Sequence, residues 1–151
     1  VSALRKAGAE IVLVSVHWGN NYAPVNKTQR KQAKYIFKAG ADVIVGHGSH
    51  DYQHFEFVNN KPVFFSVGNF AFGTPGRPTF KWGFPVTLYF DKKGIKRAEL
   101  HPIVTQNRVA KFRPIALQGE EAEEALKEFG EKSKFDGKPF EIVDGRGIVK
   151  F

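Results

Sequence analysis

The chain has 151 residues, enough for one modest domain with its own core, and 42% of them are hydrophobic, which excludes a disordered chain. It contains no cysteine, so disulfide frameworks and thiolate metal sites are excluded, and any metal must be bound by imidazole, carboxylate or amide groups. A formal net charge of +8 favours anionic partners such as phosphate, nucleic acid or polycarboxylate polymers, without choosing among them.

The beginning of the chain has the pattern of the end of a helix. Residues 1–9 are amphipathic, and Gly8 provides a helix stop. The sequence contains no methionine. We therefore expect a part of a longer protein, in which any targeting segment lies outside these residues. Within them, no apolar run of roughly 18 residues and no signal-peptide pattern occurs.

A strand, a helix and a second strand follow. Residues 11–16 are almost continuously apolar and mostly β-branched, which predicts a strand covered on both faces. A helical pattern runs from about Thr28 to Ala39, and a short strand is predicted from Asp42 to Val45. This order predicts two parallel strands in one sheet. Open α/β sheets place ligands at the carboxyl ends of such strands.

The rest of the chain is rich in strand patterns. Asn59-Asn60 and Gly94 provide turns for two hairpins, and a helix is predicted from Gly119 to Lys134. The remaining predicted strands are 53–58, 63–67, 84–90, 95–103 and 140–143. We therefore predict one α/β domain.

Three histidines follow the two predicted parallel strands. His17 comes directly after the first strand, whereas His47 and His50 follow the second strand in a loop that contains Gly48. Neutral imidazoles are good ligands for Zn²⁺, Mn²⁺ or Fe²⁺. A single histidine is more often a hydrogen-bonded loop residue, but three at one sheet edge favour a metal site. We predict His17, His47 and His50 as its ligands.

Three further residues are candidates for substrate binding, and each also has a structural interpretation. Trp18 would form a wall of the site or belong to the core. Asn69, in a Gly-Asn-Phe segment, would contact substrate or tie its strand end to a neighbouring loop. Arg77, between two prolines, would bind a phosphate or carboxylate in a bidentate manner, or remain solvated.

Three segments together resemble a known family. They are I-V-L-V-S-V-H-W-G, G-A-D-V-I-V-G-H-G-S-H-D-Y-Q and K-P-V-F-F-S-V-G-N-F-A-F, in this order. They resemble the CapA family of poly-gamma-glutamate capsule synthesis proteins, a branch of the calcineurin-like metallophosphoesterases. Q-N-R-V and G-E-E-A-E-E-A-L extend the resemblance over most of the chain. It implies a metallophosphoesterase-like fold, an α+β sandwich with two sheets flanked by helices. It also implies two divalent ions, Mn, Fe or Zn, at strand ends.

The resemblance also implies roles for the histidines. His17 matches the family's late strand-end histidine, and His47 with His50 match the closing Gly-His motif. Here Gly48-Ser49 separates the two histidines, instead of one residue, so His50 matches better as a ligand. His47 is then a ligand, a support for one, or an acid that protonates the leaving oxygen. The family's earlier motifs are missing and only Asp51 adds a carboxylate, which implies the carboxyl-terminal part of a single domain with part of the ligand set absent.

Two functions are implied by the resemblance. The first is a metal-dependent hydrolase of phosphoesterase type, which acts on a phosphoester or anionic polymer at the cell envelope, with other capsule-synthesis proteins as possible partners. The second is a non-catalytic envelope module that binds a polyanion. Its binding surface would be a lysine stripe on the predicted helix, which a solvated helix face explains equally well. The stripe consists of Lys27, Lys31, Lys34 and Lys38. Nucleic-acid binding is suggested by charge alone, without a known module.

Overall fold

Four helices and eleven strands are present in the part of the chain that the computed structural model describes, residues 1–72 and 81–151. The helices are α1 (Ser2–Lys6), α2 (Lys27–Lys38), α3 (Asn107–Ala110) and α4 (Gly119–Lys132). The strands are β1 (Leu13–His17), β2 (Val43–His47), β3 (Tyr52–Val58), β4 (Lys61–Val67), β5 (Trp82–Gly83), β6 (Val86–Asp91), β7 (Gly94–Leu100), β8 (Ile103–Val104), β9 (Ile115–Ala116), β10 (Phe140–Val143) and β11 (Arg146–Lys150).

The first sheet carries the predicted strand–helix–strand unit. Its order is β1-β2-β4-β3, in which β1, β2 and β4 are parallel and β3 is antiparallel to β4. The register of β1 and β2 runs from Leu13 opposite Val43 to His17 opposite His47. The predicted parallel pairing is therefore confirmed, and both strands end at a histidine.

Local signals in the sequence determine the boundaries of this unit. The Asn26 side chain accepts a hydrogen bond from the Gln29 backbone N–H, and the Gln29 side chain accepts one from the Asn26 N–H, which forms a capping box at the start of α2. Between β3 and β4, Asn59 and Asn60 both have positive φ values, 54° and 58°. Such a pair forms a type I′ hairpin turn, which explains the tight predicted connection.

A second four-stranded sheet has the order β10-β11-β7-β6 and is antiparallel throughout. The three short strands β5, β8 and β9 form a small third sheet. One hydrophobic core joins the first sheet to the second sheet and to α4. A second core lies between the first sheet and α2. The fold is therefore a mixed α/β structure of the α+β sandwich type, as predicted.

Three details differ from the sequence-based expectation. The predicted strand 95–103 is two strands in different sheets, because Pro102 has no backbone N–H to continue the ladder. β11 was not predicted, although it pairs with both β10 and β7. β1 is not covered on both faces: it is an edge strand of its sheet, and Leu13 is 47% exposed.

Candidate functional site

His17 and His47 lie side by side at the carboxyl ends of β1 and β2. They are opposite each other in the strand register, and their ring centroids are 5.2 Å apart with an interplanar angle of 83°. The Ser15 hydroxyl lies 3.3 Å from His47 Nε2. His17 and Ser15 are exposed. The parallel register therefore places two imidazoles on one accessible part of the sheet.

A glycine permits this close arrangement. Gly48 has a φ of +110°, and a Cβ atom at this position would lie 2.7 Å from His17 Cδ2 and 2.8 Å from His17 Nε2. The positive φ and the lack of room for a Cβ atom beside His17 both favour glycine at this position. The His17 ring thus packs directly against the backbone that follows His47.

Trp18 anchors the end of β1 in the second core. It is 7% exposed, its indole N–H donates to the Phe65 carbonyl over 2.7 Å, and its ring stacks on Phe65 with centroids 5.6 Å apart. Its backbone N–H donates to the His47 carbonyl over 2.9 Å. Trp18 therefore fixes the position of both strand ends, while part of it also borders the cleft described below.

His50 lies in a separate aromatic setting. Its ring is stacked on Tyr22, with centroids 5.4 Å apart, and also contacts Phe72, with centroids 5.1 Å apart. His50 Nδ1 lies 3.1 Å from Asn69 Oδ1, and the residue has a φ of +65°. The Tyr22 backbone N–H donates to the Ser49 carbonyl over 2.7 Å. Asn69 thus links the end of β4 to the loop that carries His50.

The described residues fit part of a metal ligand set. The donor chemistry of His17 and His47 suits Zn²⁺, Mn²⁺ or Fe²⁺. Among residues 1–72 and 81–151, however, no three side chains of the His, Asp and Glu types are arranged to hold one ion. The structure brings His17 and His47 together, whereas His50 is held by its own contacts. Further ligands would have to come from outside the described residues.

An open cleft of about 540 Å³ adjoins His17. Its lining includes the first residues of α2, where backbone N–H groups and the helix dipole favour negative charge. The lining residues are His17, Trp18, Gly19, Asn20, Asn26, Lys27, Thr28, Gln29 and Gln32. The cleft therefore places a cationic helix end next to His17. Sequence reasoning did not predict it, although the capping pattern at Asn26 could have located this helix start.

The lysine stripe continues from this cleft along α2. All four lysines are exposed, and none forms an ion pair with another described residue. α2 contains no acidic residue. Arg30, on another side of the same helix, is instead bonded to Glu56 of β3. The stripe is therefore an uncompensated positive surface.

Asp51 is a half-buried carboxylate beside His50. Its burial raises the pKa to about 6, although the Tyr52 backbone N–H and Lys132 act in the opposite direction and Glu128 adds to the rise. Asp51 Oδ1 accepts the Tyr52 N–H over 2.9 Å. Motif reasoning identified this residue as the carboxylate of the segment, but its desolvation depends on packing that the sequence does not show.

We expect Asp51→Asn to stabilise the chain at pH 7 by about 1 kcal/mol, a value reduced for solvent screening. A raised native pKa means that the folded state retains a proton as the pH rises from 3.8, the ordinary pKa of an aspartate, to about 6, so the wild type loses stability across that range. Urea unfolding at pH 3, 5 and 7 in chelator measures the difference, which should vanish at pH 3. The exposed control Asp136→Asn should follow the wild-type pH dependence. An equal gain at pH 3 would contradict the explanation.

The other predicted site residues have different positions. Arg77 lies outside the described residues. His54 contacts Glu56 and Arg30 on the α2 side of the first sheet, and burial lowers its pKa despite the Glu56 bond. Phe72 was not predicted as a neighbour of the site, since an apolar residue after a strand gives no functional signal. None of the described helices is both long and apolar enough to cross a bilayer.

Part of the chain matches a known protein family. The family described as bacterial capsule synthesis protein PGA_cap matches residues 1–74, which include β1, α2, β2, β3, β4 and all three candidate histidine ligands. The PGA biosynthesis protein CapA of Bacillus subtilis (strain 168) is 38% identical over 99 residues, which cover 65% of this chain and 26% of that protein.

Two further relatives match shorter segments. The capsule biosynthesis protein CapA of Bacillus anthracis is 42% identical over 71 residues, 45% of this chain and 17% of that protein. The uncharacterized protein y4sH of Sinorhizobium fredii is 42% identical over 40 residues, 26% of this chain and 9% of that protein. The chain thus spans about a quarter or less of these relatives. It belongs to the CapA family of bacterial capsule synthesis proteins.

Proposed function

We propose that this chain is the carboxyl-terminal part of a single metallophosphoesterase-type domain, which acts in capsule or poly-gamma-glutamate synthesis at the cell envelope as a metal-dependent hydrolase. The observation that carries the proposal is the pairing of His17 with His47 at the carboxyl ends of two parallel strands. The family membership supports the biological process, and the adjacent cationic cleft supports an anionic substrate, either a phosphoester or an anionic polymer.

His17 and His47 would hold a divalent ion, Mn, Fe or Zn, and His50 is the third candidate ligand in the described residues. When bound, such ions polarise a phosphoryl oxygen and lower the pKa of water, which is the usual chemistry of two-metal hydrolases. Ligands for two ions would also come from outside the described residues. Other capsule-synthesis proteins are proposed as partners.

The chain's own residues would bind and orient the substrate. Lys27 and the amino terminus of α2 attract an anionic group to the cleft beside His17. Ser15 lies within hydrogen-bonding distance of His47 Nε2 and orients that ring. In the alternative arrangement, in which His47 is not a ligand, a protonated His47 would deliver its proton to the leaving oxygen, as a general acid does. Trp18 excludes water from the inner side of the strand ends.

Calorimetric titration of the 151-residue chain with Mn²⁺ and Zn²⁺ tests the proposal. We expect saturable binding in the wild type and at least about 10-fold weaker binding in His17→Ala and His47→Ala, because each removes an imidazole ligand. His101→Ala is the matched control, since His101 lies near Thr87 of the second sheet. Mn²⁺-dependent hydrolysis of a chromogenic phosphodiester should likewise be retained in the wild type and in His101→Ala and be reduced in His17→Ala and His47→Ala.

The proposal fails if the folded wild type binds neither metal, or if binding survives in both histidine variants. A second candidate function is favoured by the uncompensated lysine stripe: a non-catalytic module that binds a polyanion through α2. A folded chain that binds poly-gamma-glutamate but no metal would support this second function, provided that binding weakens as salt rises.

A further inference from the structure

The surroundings of His50 fix the orientation of its ring. Tyr22 stacks on the ring at an interplanar angle of 26°, and Phe72 contacts it at 33°. These two aromatic contacts restrict the rotation of the imidazole about its Cβ–Cγ bond. The hydrogen bond to Asn69 therefore acts on an imidazole whose two nitrogens have defined directions.

The backbone at Asn69 is closely packed against β5. Its backbone carbonyl lies so close to Gly83 of β5 that a Cβ atom there would approach it to 2.3 Å. Gly68, just before it, has a φ of +76° and packs against the same strand. The Asn69 side chain thus extends towards His50 from a backbone whose position is set by β5 and not by the loop that carries His50.

The atoms that meet determine the position of the proton. An amide oxygen accepts hydrogen bonds and has no proton to donate, so a bond between Asn69 Oδ1 and His50 Nδ1 requires the proton on Nδ1. In a neutral imidazole the other nitrogen, Nε2, then carries a lone pair. Nε2 forms no hydrogen bond with another residue of the described ranges.

We infer that Asn69 is a positioning residue, which holds His50 in the Nδ1–H tautomer and so presents Nε2 as a metal ligand or proton acceptor. The use of Nε2 for metal rests on the proposed function, whereas the tautomer does not. Hydrogen bonds of this kind at the other ring nitrogen are a general means of orienting metal-binding histidines. Free histidine favours the Nε2–H tautomer. An Nδ1–H form of His50 would therefore show that Asn69 Oδ1 accepts a hydrogen bond from this ring.

Nitrogen NMR tests the inference directly. The 151-residue chain, labelled with ¹⁵N and free of metal, is measured at about pH 9, where imidazoles are neutral. Long-range proton–nitrogen correlations distinguish a protonated from an unprotonated ring nitrogen. For His50 we expect a protonated Nδ1 and an unprotonated Nε2 in the wild type. In Asn69→Ala the population should shift to Nε2–H, while Asn69→Asp, which keeps an acceptor oxygen, should retain the wild-type tautomer.

The other four histidines serve as internal controls, and their unchanged signals show that the variants remain folded. The inference is overturned if His50 carries its proton on Nε2 in the wild type, or if Asn69→Ala leaves the tautomer unchanged. As a second measurement, Zn²⁺ affinity should fall about 10- to 100-fold in Asn69→Ala and be retained in Asn69→Asp. A chain with the expected tautomers but no Zn²⁺ binding would refute the metal function while supporting the role of Asn69.

Discussion

Gly46→Ala is expected to lower the free energy of unfolding by about 3 kcal/mol. A Cβ atom at this position would lie 2.2 Å from the Phe65 carbonyl oxygen and 2.4 Å from Trp18 Nε1, the two atoms that share a hydrogen bond. Neither partner has room to move, because Phe65 is fully buried in β4 and the indole is stacked on its ring. The methyl group would therefore separate a buried donor from its acceptor. Urea denaturation of both proteins measures the loss.

Gly94→Ala is the control for this experiment. A Cβ atom at Gly94 would meet nothing within 4 Å, but its φ is +119°, so the variant reports the cost of backbone strain alone, about 1 kcal/mol. Gly46 does not have a positive φ, and its cost arises from space alone. If Gly46→Ala were no more destabilising than Gly94→Ala, the close packing at the strand ends would be disproved. In the expected case, metal binding at His47 should weaken as well.

Arg30→Leu is expected to destabilise the chain by about 2 kcal/mol at pH 7, because it leaves a buried carboxylate with less compensation. Arg30 Nε and Nη2 donate to the two carboxylate oxygens of Glu56 over 3.0 and 3.1 Å, and Glu56 is 7% exposed. His54 Nε2 lies 3.1 Å from the same carboxylate. We place the loss below that of a fully buried pair, because the Arg30 side chain is 35% exposed.

The pH dependence separates this electrostatic effect from a loss of packing. Burial alone would raise the pKa of Glu56, but the bonds from Arg30 and His54 outweigh it, so the native pKa lies below the ordinary value of 4.5. The stabilisation by Arg30 is therefore complete above pH 4.5 and is lost as the pH falls through the native pKa. The wild type and the variant should therefore differ less at about pH 3 than at pH 7.

Lys34→Leu, an exposed substitution on the same helix, should change stability by less than about 0.5 kcal/mol at either pH. If Arg30→Leu lowered the free energy of unfolding equally at both pH values, the arginine would act through packing alone. Guanidinium is unsuitable as the denaturant, since its charge screens the ion pair, and urea should be used.

Much of the unit that carries the site could be predicted because its signals are local. The apolar runs of β1 and β2, the capping box at Asn26 and the glycine after α2 are all contiguous in sequence. They predict a parallel pair, and the parallel pair brings His17 beside His47. The exposed face of β1 could not be predicted, since an apolar run does not show whether its strand is central or at an edge of the sheet.

The separate position of His50 depends on features beyond local pattern. Its left-handed backbone and its contacts with Tyr22 and Phe72 join segments that are far apart in sequence. The bond to Asn69 connects positions 19 residues apart. A spacing motif shows that two histidines are close along the chain, but not that their rings take different surroundings. The break at Pro102 is, by contrast, visible in the sequence, because a proline has no backbone N–H to continue the ladder.

The position of β4 has a consequence for cooperativity. Phe64 belongs to the core shared with the second sheet and α4, and its neighbour Phe65 belongs to the core beneath α2. Opening β4 would therefore expose both cores in a single event, so the chain has one unfolding unit rather than two subdomains that open separately. The indole of Trp18 is hydrogen-bonded to this strand, and the histidine pair is thus connected to the strand that both cores share.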